Sequence, residues 1–251
     1  MNNVDIILPT YNCAEYIEEA INSVIGQTSE NWKLIIIDDA SKDSTTNLIK
    51  NYLNDKRIFL KILKKNKGQG FCRNLALRYS NSKYVAFIDS DDIWKKDKLK
   101  KQIEFMNNFN LDFTYTDFII FKELNGVKKL NKKIALPEKF TYDLFVNKTS
   151  ICTSTMIIKR PIIGMTKFLN TKRCEDFFFK CKLLKKCKTA SNLRENLTFY
   201  RISKNSLQSN KFKNLYWVWY INKRYNKMNI VKNILSIFLI SINSLKNYGF
   251  K

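Results

Sequence analysis

Over roughly its first hundred residues the chain alternates short β-branched apolar runs with helical repeats. That alternation restricts the fold more than any other feature. Residues 4–8 read as a buried strand stopped by Pro9. Behind it, Ile17, Ala20, Ile21, Val24 and Ile25 recur at i, i+3, i+4, i+7 and i+8 within a predicted helix over 14–27. Residues 34–37 form a second apolar run closing on Asp38 and Asp39, and Ser44 is the expected N-cap of a helix bearing Leu48, Ile49, Tyr52 and Leu53. A strand at 58–63, a helix at 70–79 and a strand at 84–88 repeat the order. A parallel, doubly wound α/β sheet follows, a class that binds ligands at the carboxyl ends of its strands. Pro9-Thr10-Tyr11, Asp38-Asp39 and Asp89-Ser90-Asp91 each lie just past a predicted strand end.

Beyond Trp94 the pattern loosens. Residues 95–109 are a predicted charged amphipathic helix, 113–121 a strand and 126–137 a basic loop. Strands at 154–159 and 197–202 flank a helix starting near Glu175. The 251 residues suffice for one substantial core, and no linker separates two folding units. The expected organisation is one domain over 1–210 with a helical tail over 211–251.

Charge is unevenly distributed. The net charge is +23, and from residue 177 onward there are 16 Lys or Arg against the single acid Glu195. This end points to an anionic partner: a membrane surface, a nucleic acid or a phosphorylated substrate. Tyr216, Trp217, Trp219 and Tyr220 among cations suit a helix lying in a membrane interface. They suit equally a helix packed on the core, aromatics inward and lysines in water. The longest uncharged stretch, 233–245, is too short to span a bilayer. The six cysteines form no CxxC pair and read as small buried hydrophobes in a reducing compartment, and the N-terminus has no secretion-signal pattern. The chain has no histidine, which excludes Ser-His and Cys-His nucleophile pairs and His-ligated zinc and directs the search to carboxylates.

Three acid-bearing or glycine-bearing segments carry chemistry. In YVAFIDSDDIW, Asp89 and Asp91 flank Ser90, so two carboxylates converge on one centre if the loop curls. That is an acidic turn in water, or an oxygen-only site for Mg²⁺ or Mn²⁺ completed by substrate phosphates. Asp38 to Thr45 is a capped turn, or a carboxylate reaching a ribose or base. NKGQGFCRN sets glycines before a helix that contains Arg73, a turn or a phosphate cradle.

Taken in order, LPTYNCAEYIEEAINSVIGQT, LIIIDDASKDST, NKGQGFCRN, YVAFIDSDDIW and CEDFFFKCKLL resemble the inverting nucleotide-sugar glycosyltransferases of family 2, which have the GT-A fold. The resemblance spans about residues 4–205 and includes the family's seven-residue spacing from Asn66 to Arg73. It implies a Rossmann-like mixed sheet flanked by helices, with a nucleotide-binding half over 1–94 and an acceptor half over 95–210. It further implies that Pro9, Thr10, Tyr11 and Glu15 line the nucleotide pocket and that Asp39 contacts the base or ribose. Lys67, Gly68 and Arg73 would shape the base and phosphate side. Asp89, Ser90 and Asp91 would form the DxD motif, with Asp91 the more direct metal ligand. Asp176 matches the general base, and Arg201 in FYRISKNSLQS lies near the donor phosphates.

By this likeness the chain is a cytoplasmic glycosyltransferase, peripheral on the inner membrane face, with Mn²⁺ or Mg²⁺ as cofactor. It would use a nucleotide-sugar donor, UDP-linked as is commonest in the family, and a glycan or lipid-linked glycan acceptor. Transfer to a polyprenyl phosphate is the alternative reaction, and a basic nucleic-acid binder the alternative class, though no nucleic-acid partner is expected. Two departures stand out. Ala40 replaces a glycine often found after the paired Asp, tolerable unless the position needs positive φ. The apolar run Phe177-Phe178-Phe179 beside Cys174 is expected to raise the pKa of Asp176 by burial.

Overall fold

The computed structural model describes residues 3–124, 127–202 and 210–248. The strands are β1 (Val4–Thr10), β2 (Trp32–Asp38), β3 (Ile58–Ile62), β4 (Tyr84–Phe87), β5 (Ile93–Trp94), β6 (Phe113–Leu124), β7 (Val127–Ile134), β8 (Lys139–Thr141), β9 (Ile157–Lys159) and β10 (Thr189–Arg201). Between and after them run α1 (Ile17–Ile25), α2 (Thr45–Lys50), α3 (Gln69–Tyr79), α4 (Lys98–Asn108), α5 (Tyr142–Lys148), α6 (Arg160–Ile163), α7 (Glu175–Cys187), α8 (Lys211–Arg224) and α9 (Ile230–Tyr248). A 3₁₀ turn spans Thr153–Thr155.

One mixed sheet runs in the order β3-β2-β1-β4-β9-β6-β10-β5. β3, β2, β1 and β4 pair in parallel, β9 is antiparallel to both its neighbours, and β10 runs parallel to β6. Alternation along the strands supplies two cores. Ile7, Ile35, Ile37, Val85 and Phe87 face α3 and α7, while Ile6, Leu8, Leu34, Ile36 and Ala86 face α1, α2 and α4. Strands buried on both sides need continuous apolar runs, which is why β1 and β2 read so plainly in the sequence.

Several boundaries differ from the sequence-based expectation. β1 continues through Pro9 to Thr10. Ile88 N donates to Ile7 O, so Ile7 and, two residues on, Pro9 direct their main-chain groups towards β4. β4 stops pairing at Ile7, so the missing Pro9 N–H leaves no ladder bond unmade. Helix α2 begins after Ser44, yet the Ser44 side chain makes no capping bond; the Asp43 carboxylate takes Thr45 N (3.0 Å) and Ala14 N (3.1 Å) instead. The basic segment expected as a loop over 126–137 contains β7, a hairpin partner of β6 whose side chains up to Lys133 are exposed; Gly126 lies outside the described residues. With both faces in water a strand shows no alternation, and its lysines protect an open edge. The expected strand at 154–159 divides into the 3₁₀ turn and β9, and the one at 197–202 extends back to Thr189.

Ala40 adopts φ +63°, so the position does call for the left-handed region. Strain of about 1–2 kcal/mol for an L-residue there, less about 0.5–1 kcal/mol of extra glycine entropy, leaves a small net gain on restoring glycine. Ala40→Gly is expected to raise the unfolding free energy by about 0.5–1 kcal/mol, read as a higher urea midpoint with unchanged slope.

Candidate functional site

The first rim of the site is built at the ends of β1 and β2. Asp38 is fully buried and accepts from Thr10 Oγ1 (3.0 Å), Ser41 N (2.9 Å) and Ser41 Oγ (2.6 Å). Asp39 is also buried, and its two oxygens accept from Lys67 N (2.7 Å) and Gly68 N (2.8 Å), tying the β3–α3 loop to β2. Gly68 has φ +90°, and a Cβ on Gly70 would come within 2.2 Å of Leu169 O. Glycine at these two points lets the start of α3 sit against the turn before α7. Pro9 and Thr10 are buried within β1, Tyr11 and Glu15 are exposed beside it, and the Lys67 ammonium lies 4.5 Å over the exposed side of Phe71.

Arg73 joins the two halves. Its side chain is 2% exposed, with Nη2 2.6 Å from Asp89 Oδ1 and Nη1 2.6 Å from Glu175 Oε1. The Gln69 amide, oriented to suit its neighbours, accepts from Arg73 (2.7 Å) and donates to Glu175 (3.1 Å). Residues 16 and 102 positions away in sequence thus share one guanidinium, and the DSD loop and the start of α7 face one cleft. The fork of Arg73 is engaged by protein carboxylates on both arms, so it holds the cleft together.

Ser154 completes the seam. Its Oγ accepts from Asp89 N (3.0 Å) and its carbonyl from Trp94 Nε1 (2.8 Å). The neighbouring Thr153 donates to Asp176 Oδ2 (2.8 Å), so one 3₁₀ turn touches both acid clusters. Sequence reasoning missed this turn; a Thr-Ser-Thr run has no periodicity to reveal it.

In the DSD loop, Asp92 is buried, accepts Arg201 N (3.1 Å) through one oxygen and has no partner for the other. Burial, then Asp91 and Asp89, push its carboxyl well above the usual range. Burial and the Asp89 charge likewise raise Asp91 to about 6. Arg201 donates to Asp91 O (2.9 Å), pairs with Glu19 and Glu123, and lies 4.5 Å from the Tyr16 and Phe121 rings. It therefore braces the DSD loop from beneath; residues 203–209 of its motif lie outside the described residues. Among the described residues no three acid, Cys or His side chains converge as a closed metal cage. Two neighbouring carboxylates, Asp89 and Asp91, whose charges repel, still fit Mg²⁺ or Mn²⁺, which take one or two protein carboxylates plus phosphate and water. Asp89 is engaged by Arg73, leaving Asp91 the freer ligand.

Asp176 lies in the first turn of α7, after Cys174 at φ +56°. Besides Thr153, its Oδ2 accepts from Lys180 Nζ (2.5 Å), which also donates to Ile151 O (2.7 Å). Its side chain is 28% exposed against 10% for Glu175. Burial acts to raise its pKa, but Lys180 and Arg73 outweigh it and bring the carboxyl down to about 2. This reverses the shift expected from the phenylalanine run. The pair Asp176–Lys180 at i, i+4 was the sequence signal for it.

The comparisons agree with this architecture. The family model "Glycosyl transferase family 2" matches residues 5–164. TuaG of Bacillus subtilis (strain 168), a glycosyltransferase assigned to teichuronic acid biosynthesis, is 36% identical over 97% of this chain and 96% of its own length. The Escherichia coli UDP-Glc:alpha-D-GlcNAc-diphosphoundecaprenol beta-1,3-glucosyltransferase WfgD is 35% identical over 86% of this chain and 83% of its own. In structure, S. aureus TarS 1-349 in complex with UDP-GlcNAc superposes with a TM-score of 0.74 at 20% identity, over 98% of this chain and 73% of the 1-349 chain. The mannosyltransferase PcManGT from Pyrobaculum calidifontis, in complex with GDP-Man and Mn2+, gives 0.69 at 16% identity over 98% of this chain and 70% of its own. These two likenesses establish the GT-A fold. A chain with this sheet, this sequence of motifs and these relatives belongs to glycosyl transferase family 2 and is a glycosyltransferase.

Proposed function

We propose that the chain transfers a hexosyl group from a UDP-sugar to a hydroxyl of a lipid-linked glycan destined for the cell surface, with inversion at the anomeric carbon. The observation that carries this reading is the double salt bridge of Arg73, which draws Asp89 and the Glu175-Asp176 pair to one cleft. The activity of WfgD and the UDP-GlcNAc bound by TarS support the donor and acceptor classes.

Residues 1–94 would hold the donor, with Tyr11, Glu15 and the Asp39–Gly68 corner on the nucleoside side, and 95–210 the acceptor. Asp91, with Asp89 behind it, would hold Mn²⁺ or Mg²⁺, which when bound neutralises charge on the diphosphate. Asp176 receives the proton of the attacking hydroxyl as the new C–O bond forms and the bond to the diphosphate breaks. With a pKa near 2 the carboxylate is ionised throughout the physiological range, so it accepts late, once attack has made the hydroxyl acidic. The acceptor lipid places the reaction at the inner face of the cytoplasmic membrane, reached peripherally through the basic tail. Among the described residues no helix is long and apolar enough to cross a membrane.

Screening nucleotide-sugars for metal-dependent thermal stabilisation tests the reading. A UDP-sugar response followed by transfer to a diphospholipid-linked sugar is the expected result. Transfer to a bare lipid phosphate, or stabilisation by RNA or DNA alone, overturns it.

One pH dependence follows from Asp91. A ligating carboxylate must be ionised, and this one titrates near 6, so Mn²⁺-dependent UDP binding should be flat above about pH 7. Below pH 6 it should fall by up to about tenfold per unit. Asp91→Ala should abolish the metal dependence, measured by calorimetry between pH 5 and 8.

A further inference from the structure

Helix α9 divides its apolar side chains between core and solvent. Its core-facing side holds Ile240, buried, and Ile237, half-buried, beside polar groups that bond inward: Asn233 donates to Trp219 O (3.0 Å), Ser236 to Val146 O (2.6 Å), and Asn243 to Lys148 O (3.1 Å) and Ser150 Oγ (2.9 Å). Val231, Ile234, Leu235, Phe238, Ile242 and Leu245 point outward, each between 37 and 70% exposed. At 100° per residue these six share a stripe roughly 100° wide, opposite the polar side. Phe212 and Tyr216 of α8 add exposed rings to the same two-helix unit. A helix that turns six large apolar side chains to solvent presents an apolar face in need of cover.

We infer that this stripe inserts into the headgroup–acyl boundary of an anionic bilayer, with α9 lying in the membrane plane. The charge of the two-helix unit selects that occupant: residues 211–245 carry six Lys or Arg and no Asp or Glu. Such a surface attracts anionic headgroups and repels a second copy of itself. The stripe itself contains no charge, so apolar insertion and surrounding electrostatic attraction act together, as interfacial helices require. The position also suits the proposed acceptor. α9 is hydrogen-bonded to α5 and Ser150, and the segment that follows holds Asp176 through Ile151, Thr153 and Lys180. The inference rests on the membrane-side reading above and specifies how the contact is made.

The experiment is flotation of the full chain with phosphatidylglycerol–phosphatidylcholine vesicles, alongside the variant Ile234→Ser, Phe238→Ser, Ile242→Ser, whose sites are exposed and leave the core-facing amides intact. The wild type is expected to float and to remain partly bound in 1 M salt, with the variant binding roughly tenfold or more weaker. Unchanged circular dichroism and thermal midpoint would show that the variant folds. Variant binding equal to wild type, lost entirely in high salt, would leave membrane contact standing but overturn insertion. No binding by the wild type would overturn both. Sedimentation showing a wild-type dimer that the variant dissolves would assign the stripe to a second copy and overturn the inference.

Discussion

Asp176→Asn should lower the rate of transfer by about 10²–10⁴-fold, the usual contribution of a positioned proton acceptor. The amide keeps the size of the carboxylate and can still accept from Thr153 and Lys180, so the fold should persist. Because the exchange removes an interaction made only as the hydroxyl is deprotonated, kcat should fall while UDP-sugar affinity stays within a fewfold. Single-turnover transfer from radiolabelled donor, with calorimetric binding on the same preparation, separates the two. Undiminished transfer would move the base elsewhere, Glu175 being the nearest carboxylate. That outcome would be notable, since Glu175 is engaged by Arg73 and its side chain is nearly buried.

Arg73→Met should destabilise the protein by about 3–5 kcal/mol, the range for removing one partner of a buried ion pair. The substitution leaves Asp89 and Glu175 without the cation between them, and the charge of Asp176 beside them loses the same counter-ion. Burial already raises Glu175 against the opposing pull of Arg73. Losing that pull raises it further, so in the variant the folded state binds protons that the unfolded state releases. An acid whose folded pKa lies above its unfolded value gains stability as pH falls through the folded pKa. The deficit of Arg73→Met relative to wild type should therefore shrink as pH falls below neutral, measured by urea unfolding at each pH. A deficit independent of pH would mean that the guanidinium acts by packing alone. Arg73→Lys restores charge without the fork and should recover only part of the loss.

The two substitutions probe different links of one assembly. Arg73 makes the cleft by placing strand-end acids and a helix start on a single planar group. Asp176 is the base in the proposed transfer, and Lys180 holds its carboxylate ionised. The Ser154 turn couples them, with Asp89 on one side and Asp176 through Thr153 on the other.

The parallel half of the sheet was legible because strands buried on both faces must be continuously apolar, as residues 4–8 and 34–37 are. The acids past those strands were legible because loops at strand ends are short and polar. Local spacing also carried the helix periods and the N-terminus of α7, whereas the Asp176–Lys180 spacing, though present, went unread. Other features could not be read from neighbours in sequence. β7 shows no alternation because both its faces are solvated, and Ala40 reveals its positive φ only in the built turn. The direction of the Asp176 shift depended on which of two opposing effects, burial or a nearby ammonium, was stronger, and that is settled by distances of a few ångströms. The orientation of α9 was undecidable for the same reason: its stripe of aliphatics is visible in sequence, but whether it faces the core depends on amide partners in α5 and α8. Local chemistry determined the elements and the acids at their ends. Only long-range contact, through the Arg73 guanidinium that joins Asp89 to a glutamate 102 positions beyond the arginine, brought those acids together.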